Sequence, residues 1–571
     1  MKKHFRGPVP LRGSQKAKGK RQKFLLARIL LSCSWLPYLH PVVLVWSLAA
    51  LGLIVPVLTL AAAIGEDGIN AAILRQPPYN LLGRKIAIGQ VEIGRPGKFG
   101  LDKAVSKNPL YNLAGLFYRD DSATANNNVD NHAAMVASVI LSRDKGFPGV
   151  APEARLYSSA IGALKKGGQA EECLSSQHIA LQNSGDVRAI NFSFGESLQR
   201  DGRENAVLDG NALLTLCIDW SARVHDVLYV VSGNQGGGGI SIPTDQYNGI
   251  TAAYTAKRQG KFSKVDFANL SSQPVGIGRN LIKREINQGP RRAVSLLAPG
   301  DKISVYNLQG EKTEASGTSF AAPHITGSVA LLQEAGDARG RAQGHRHLLR
   351  ADLHGRTDSR RHEVMKAVLL NSADKIEDTG DGLLLGMSRT VLTKNNRTWI
   401  ESDAYKDDKI PLDLQMGTGH LNVFRAYQQL NAGQWKSNNG IPVANLGWDY
   451  DTVNANSYRD YILEKPLQKG SFASITLTWD RLVELKDENE NQQYDVGESF
   501  SDRGLNNLDL YLVSLDNNQS YTCSSVSEVD SIEHIFCPIP ATGNYKIRVQ
   551  YIKQKNQKSQ AYSLAWWTLG K

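Results

Sequence analysis

A chain of 571 residues is too long for one hydrophobic core, so two or three folded units are expected. Its 41% hydrophobic and 21% charged residues are those of a globular protein and exclude a disordered one. The formal charge of +11 excludes less than its size implies, because ten Lys and Arg lie between Lys2 and Arg28 and residues 1–65 contain no Asp or Glu. Past that segment, 56 basic residues face 55 acidic ones. No basic stripe survives, and nucleic acid is not an expected partner.

Residues 1–28 read as a basic cytoplasmic leader, and residues 29–65 as a transmembrane anchor or signal segment. Val42–Ile64 carries no charge and is long enough to span a bilayer core as a helix. The basic flank stays cytoplasmic, which places everything after Glu66 in an extracytoplasmic space. Two readings stay open. A retained segment holds the protein on the membrane by its N-terminus; cleavage after the small residues Ala61-Ala62-Ala63 leaves it secreted. Of five cysteines, the last four lie beyond this segment, where oxidation is allowed. Nearness in sequence pairs Cys523 with Cys537 and Cys173 with Cys217. No CxxC or His/Cys cluster points to zinc.

Between residues 80 and 432, short β-type runs alternate with helical stretches. "KIAIGQVEIG", "ARLYSSAI", "VRAINFSFG" and "VLYVVSGN" are near-continuous apolar runs, as in a parallel sheet covered on both faces. Helical patterns such as "HAAMVASVILSR" separate them, and the alternation predicts an α/β fold. Its site belongs at the carboxyl ends of the strands, where Glu92 and Asn234 fall. Residues 335–362, rich in Gly, Arg and His without periodicity, read as an inserted surface loop. From residue 440 to 571 the period becomes two: Ala473, Ile475, Leu477 and Trp479 alternate with small polar residues, and no helical pattern intervenes. That predicts a C-terminal all-β sandwich.

Four stretches carry chemistry. In "SGTSFAAPHITGSVALL" (316–332), Ser319 opens an apolar helix, where unpaired N–H groups and the positive dipole end favour a developing oxyanion. An ordinary N-cap before a buried helix would look similar. "NHAAMVASVI" places His132 in the first turn of a helix after Asp130-Asn131, and "VVSGNQGGGG" ends a strand in Asn234, an amide donor. "IGQVEIG" ends a strand core in Glu92, a carboxylate that burial would penalise by several kcal/mol, roughly, without a partner.

Together these motifs resemble the subtilisin-like serine proteases over about residues 84–432. "SGTSFAAPHITG" fits the family's nucleophile motif, and "HAAMVAS" followed by "GVAPEARLYSSAI" its histidine motif. "INFSFG" resembles the substrate-pairing strand and "VVSGNQG" the oxyanion-asparagine motif. "MKAVLLNSA" and "MGTGHLNVFRA" resemble the closing helices. The resemblance implies a subtilisin-like parallel sheet flanked by helices and a serine endopeptidase without a catalytic cofactor, acting on protein or peptide substrates. Ser319 is then the nucleophile, His132 the base, Asn234 an oxyanion donor, and Ser193, Phe194 and Gly195 one edge of the substrate cleft. Glu92-Ile93-Gly94 falls where the family carries an aspartate in Asp-Ser/Thr-Gly; Asp102 is the nearby rival for the acid. "HAAM" departs from the usual His-Gly-Thr, and no propeptide-sized segment lies between Ile64 and Arg84. Two alternatives to a general endopeptidase are a narrow-specificity peptide-maturation protease and an inactive scaffold used for binding.

In the C-terminal part, "DENENQQYDVGE" spaces Asp487, Asn489, Asn491, Gln493, Asp495 and Glu498 at positions 1, 3, 5, 7, 9 and 12 of a calcium loop. A structural Ca2+ is the expected ligand there; the competing reading is a solvated acidic loop. Gln492 stands where such loops need glycine.

Overall fold

The computed structural model describes residues 63–107, 112–162, 168–233, 242–258, 260–265, 291–342, 358–437, 440–516 and 521–571. The basic leader, all but the last residues of the 29–65 segment, and Asn234 lie outside them. Among the described residues no helix is long and apolar enough to cross a membrane.

The apolar runs form strands β1 (Ala87–Glu92), β2 (Leu113–Tyr118), β3 (Arg155–Ala160), β4 (Val187–Phe192), β5 (Leu228–Ser232), β6 (Ile250–Arg258) and β7 (Leu296–Pro299). The helices of this part are α1 (Asn131–Leu141), α2 (Gln169–Ala180), α3 (Leu213–His225), α4 (Thr318–Ala342), α5 (His362–Asn371) and α6 (Val423–Ala432). A ten-stranded sheet runs in the order β6-β5-β4-β1-β3-β2, with β7 beside β6 and short strands at its edges. The pairs from β6 to β2 are parallel. Alternate side chains bury on opposite faces. Ile88, Ala189 and Val230 join a core with α1, α4, α5 and α6, while Ala87, Val91, Ile190 and Val231 join one with α2 and α3. This double burial is why the strands read as continuous apolar runs instead of alternating ones.

The chain leaves β1 toward β2 on one side and leaves β4 toward β5 on the other. The crevice of this sheet therefore opens at the carboxyl ends of β1 and β4, where Val91 is paired with Phe192. Glu92 and Ser193 come next in each strand.

Two sequence expectations are corrected. The supposed loop from 335 begins as helix: α4 continues to Ala342. Glu334 fixes that end by accepting from the Leu82 and Gly83 amides and pairing with Arg84, and Asp337 lies 3.5 Å from Arg188. Of "MGTGHLNVFRA", residues 416–422 are not helical. His420 bridges Leu297 and Asp374 as extended chain, and the helix starts at Val423 after its Asn422 cap.

The C-terminal part comprises β8 (Leu446–Asn454), β9 (Tyr458–Ile462), β10 (Phe472–Thr478), β11 (Val483–Lys486), β12 (Ser499–Asp502), β13 (Asn507–Ser514), β14 (Tyr521–Ser525), β15 (Ile532–Pro538), β16 (Tyr545–Lys553) and β17 (Ser559–Thr568). Two four-stranded antiparallel sheets, β8-β17-β10-β15 and β9-β16-β13-β14, enclose Ile475, Leu477, Leu510, Leu512, Ile547 and Leu564. A separate hairpin, β11–β12, projects from them.

The polar face of β10 does not meet water. Ser474, Thr476 and Thr478 are buried against α5, where Asn371 Oδ1 accepts from Ser474 and Thr476, and Thr478 donates to the Glu363 carbonyl. The contact is therefore made by hydroxyls that a period-two pattern assigns to solvent. Beside it, the Arg481 guanidinium donates to Asp219 of α3 (Nε–Oδ2 3.1 Å) and to the Gly210 carbonyl, all buried.

Arg481→Met would leave Asp219 buried without its cation. We expect a loss of about 3–5 kcal/mol in urea unfolding. Adding Asp219→Asn should restore much of that stability, because one amide oxygen can still accept from the Tyr247 and Asn248 N–H groups that Asp219 Oδ1 now serves.

Candidate active site

Glu92 ends β1 with its side chain 2% exposed. Its Oε2 lies 3.4 Å from His132 Nδ1, an ion-pair contact longer than a good hydrogen bond. Glycine makes the approach possible. A Cβ on Gly94 would fall 2.3 Å from the Asp130 Cβ and 2.9 Å from the Asn128 carbonyl oxygen, so only glycine lets the turn after Glu92 press against the start of α1. Backbone bonds lock that contact: Arg95 N–H donates to Asn128, and Asp130 N–H to Arg95. Asp130 caps α1 by accepting from the Ala133 amide, which presents His132 in the first turn. Gln90, buried in β1, donates from Nε2 to the Ala133 carbonyl at 3.0 Å and ties the strand to the same turn.

Asp102 has another role. Arg95 grips it with two parallel bonds of 2.8 Å, and it accepts from the Lys98 and Asn126 amides. Both side chains are fully buried. With its oxygens engaged in organising this loop, Asp102 makes no contact with His132.

Ser319 stands in the first turn of α4. Gly317 before it holds φ +146°, a conformation that favours glycine, and donates to the Gly300 carbonyl. Ser319 Oγ donates to the Ser193 carbonyl (3.0 Å), and Ser193 Oγ donates back to the Ser319 carbonyl (2.8 Å). Asn191 steadies this exchange by donating to Ser193 Oγ at 2.8 Å. Thr318 Oγ1 donates to the Gly233 carbonyl, which joins the serine turn to the end of β5. Phe320, next after Ser319, lies edge-on to the His132 ring at 5.7 Å. Farther along α4, a Cβ on Gly327 would fall 2.7 Å from the Val150 Cβ, so glycine seats the helix against the "GVAP" stretch.

The structure thus gathers Glu92, His132, Ser319 and Ser193 at the carboxyl ends of β1 and β4. Phe194 is buried and stacked on Phe192. Past Gly195, Glu196 already pairs with Ile242 through two backbone bonds. His324 is buried, with Nδ1 2.6 Å from the Phe320 carbonyl oxygen, a structural position. Asn191 and Gln90 were missed in the sequence. Their signal was a carboxamide inside an otherwise apolar run, which needs a buried partner.

Burial raises the Glu92 carboxyl above its ordinary value by more than the adjoining imidazole lowers it. Burial also pulls His132 down, but the adjoining Glu92 carboxylate, with the charge of Asp130, lifts the imidazole above its ordinary value.

The candidate calcium loop joins β11 to β12. Asn489 and Asn491 both donate to Asp495, and the Asp487 carboxylate accepts from the Asn491 and Gln492 amides. The Glu498 carboxylate accepts from the Glu488 and Asp495 amides. The Gln493 amide donates to Asn491 Oδ1. Gln492 takes φ +63°, the left-handed turn otherwise reserved for glycine, so the turn forms without it.

Comparison with known proteins gives a match to the subtilase family over residues 91–394. At 25% identity over 237 residues the chain is similar to the thermostable alkaline protease of Halalkalibacterium halodurans, across 41% of this chain and 55% of that protein. At 26% identity over 253 residues it is similar to Subtilisin Savinase of Lederbergia lenta, across 43% of this chain and 80% of that protein. The chain thus spans little more than half the length of the first of these relatives. Among solved structures, the Prenylagaramide maturation protease PagA overlays at 20% identity with a TM-score of 0.38, covering 61% of this chain and 94% of that one.

Glu92→Gln removes the larger of the two charges that lift His132 and leaves burial opposed by Asp130 alone. The imidazole pKa, followed by NMR, is expected to fall. Asp102→Asn is expected to leave it unmoved; the reverse pattern would make Asp102 the partner of His132.

Proposed function

The chain belongs to the subtilase family, and from that premise we propose that it is a serine endopeptidase working through an acyl-enzyme on a Ser319–His132–Glu92 triad. The observation that carries this reading is the buried Glu92 carboxylate beside His132 Nδ1, at the strand end next to the Ser319 turn. Ser319 Oγ exchanges its bond to the Ser193 carbonyl for one to His132 as substrate enters, and the freed carbonyl, with Phe194 and Gly195, pairs with the substrate backbone. His132 takes the serine proton during attack on the scissile carbonyl and returns it to the leaving amine. Glu92 fixes the tautomer and stabilises the imidazolium. The Ser319 N–H, in a helix first turn where amides lack intrahelical partners, and the Asn234 amide hold the oxyanion. The tether from Thr318 to Gly233, the residue before Asn234, supports that last assignment.

One observation fits an inactive scaffold equally well: the Ser319 hydroxyl is bonded to Ser193 and not to His132. Fluorophosphonate labelling separates the two readings. The wild-type protein should label and Ser319→Ala should not; an unlabelled wild type would make the scaffold correct. Glu92→Gln should lower kcat by about 10⁴-fold, a magnitude taken from serine proteases of another fold. Because the base must be neutral, the acid limb of its residual activity should move to lower pH, following the fallen pKa of His132.

The substrate is a protein or peptide, and no cofactor enters the chemistry. Cys173 is paired with Cys217 and Cys523 with Cys537. These bridges support an oxidising, extracytoplasmic location, reached through the apolar segment before residue 65 and kept there by it or released by cleavage. The loop from Asp487 to Glu498 holds a structural calcium ion through Asp487, Asn489, Asn491, the Gln493 carbonyl and Glu498. The left-handed turn at Gln492 supports that assignment. Chelation should lower the melting temperature, and Asp487→Asn should remove the calcium dependence; a melting temperature indifferent to chelator would dismiss the site.

A further inference from the structure

Far from Ser319, four ionisable side chains meet where α3, α5 and the sandwich touch. Asp226 caps the C-terminus of α3 with φ +53°, His362 and Glu363 open α5, and Asp480 follows β10. All four are buried. His362 Nδ1 lies 3.0 Å from Asp226 Oδ1 and 3.2 Å from Glu363 Oε2, while Nε2 lies 3.0 Å from Asp480 Oδ2. One imidazole proton at Nδ1 therefore faces two carboxylates and cannot serve both.

The bookkeeping of partners leaves oxygen atoms over. Glu363 Oε2 and Asp226 Oδ2 are buried and accept no hydrogen bond, on side chains less than a tenth exposed. The nearest cations act on these carboxylates through their charge but donate to neither of the two oxygens. Lys366 gives its ammonium to the Tyr247 carbonyl, and Arg361 lies over the Tyr450 ring at 4.9 Å. The cluster thus holds more carboxylate than one imidazolium can satisfy.

The geometry points to a divalent metal site made by His362 Nδ1, Asp226 and Glu363, with Asp480 as the outer carboxylate on Nε2. One candidate atom from each of the three inner residues lies within 4.8 Å of the others. Ligands about 2.0–2.2 Å from a tetrahedral zinc stand about 3.3–3.6 Å apart around it, a few tenths of an ångström wider than the 3.0 and 3.2 Å that separate Nδ1 from the two carboxylates, so small side-chain shifts open the site. A metal-bound histidine commonly gives its second ring N–H to a carboxylate, and Asp480 is placed for that. The negative end of α3 at Asp226 adds attraction for a cation. One imidazole with two carboxylates and no thiolate suits a first-row ion of the zinc or manganese class. Binding replaces the Nδ1 proton, which leaves as H+, and joins α3 and α5 to the sandwich.

The test uses the full chain in calcium-containing buffer, so that the loop from Asp487 to Glu498 does not take up the titrant. After chelation and buffer exchange, the wild type should bind about one Zn2+ or Co2+ per chain, with a visible cobalt spectrum and a raised melting temperature. Glu363→Gln and Asp226→Asn, which keep side-chain size, should each lose that equivalent. Asp480→Asn should bind about 10–100-fold more weakly. Absence of uptake by the wild type overturns the proposal, as does uptake unchanged in Glu363→Gln. If the amide variants fail to fold, wild-type stoichiometry and the cobalt spectrum decide, since an imidazolium latch would show neither.

Discussion

A carboxylate removed from water at the end of a central strand needs a cation, and here it has one neighbour able to become one. Glu92 and His132 belong to different elements, so their meeting constrains both. Gly94 must lack a side chain, Asp130 must cap α1, and Arg95 must lie against Asn128. Because β1 sits between β3 and β4, this corner is also where the order of successive strands reverses, and the Ser319 turn is tied to it through Ser193 at the end of β4. Glu92 is long enough to reach the imidazole from the strand end. It delivers an oxygen to Nδ1 at ion-pair range while the carboxyl stays inside the protein.

The sandwich is bound to the α/β part by more than a linker. Trp448 and Ala565 share a hydrophobic cluster with α4, α5 and α6, and Trp448 Nε1 donates to the Leu430 carbonyl at the end of α6. Hydroxyls of β10 donate to Asn371 Oδ1, and Arg481 neutralises Asp219. A seam built from buried polar and ionic contacts depends on geometry more than an apolar one does, because each group left without its partner carries the full cost of desolvation. It fixes how the two parts dock.

The β11–β12 hairpin extends this seam toward α2 and α3. Tyr494 exchanges two backbone bonds with the Gln177 side chain, and Phe500 packs near Trp220. Cys173–Cys217 staples α2 to α3 within the same cluster. A helix pair that covers one face of the parallel sheet is therefore held in one cluster by a disulfide and by a loop from the C-terminal part. Order in that loop and order in the sheet's outer layer are coupled through Tyr494.

The sequence by itself determined the doubly covered parallel sheet, the sandwich and the placing of Glu92, His132 and Ser319 at element ends. Those features follow from local periodicity, caps and strand ends, which a linear reading registers. Only the tertiary structure shows that Glu92 lies beside His132 while Asp102 pairs with Arg95, because both carboxylates lie near the strand end in sequence. It also decided that the polar side of β10 is an interface, that residues 335–342 are helix, and that Asp226, His362, Glu363 and Asp480 meet. These depend on contacts between segments more than a hundred residues apart, and a polar residue looks the same in sequence whether its partner is water or a distant side chain.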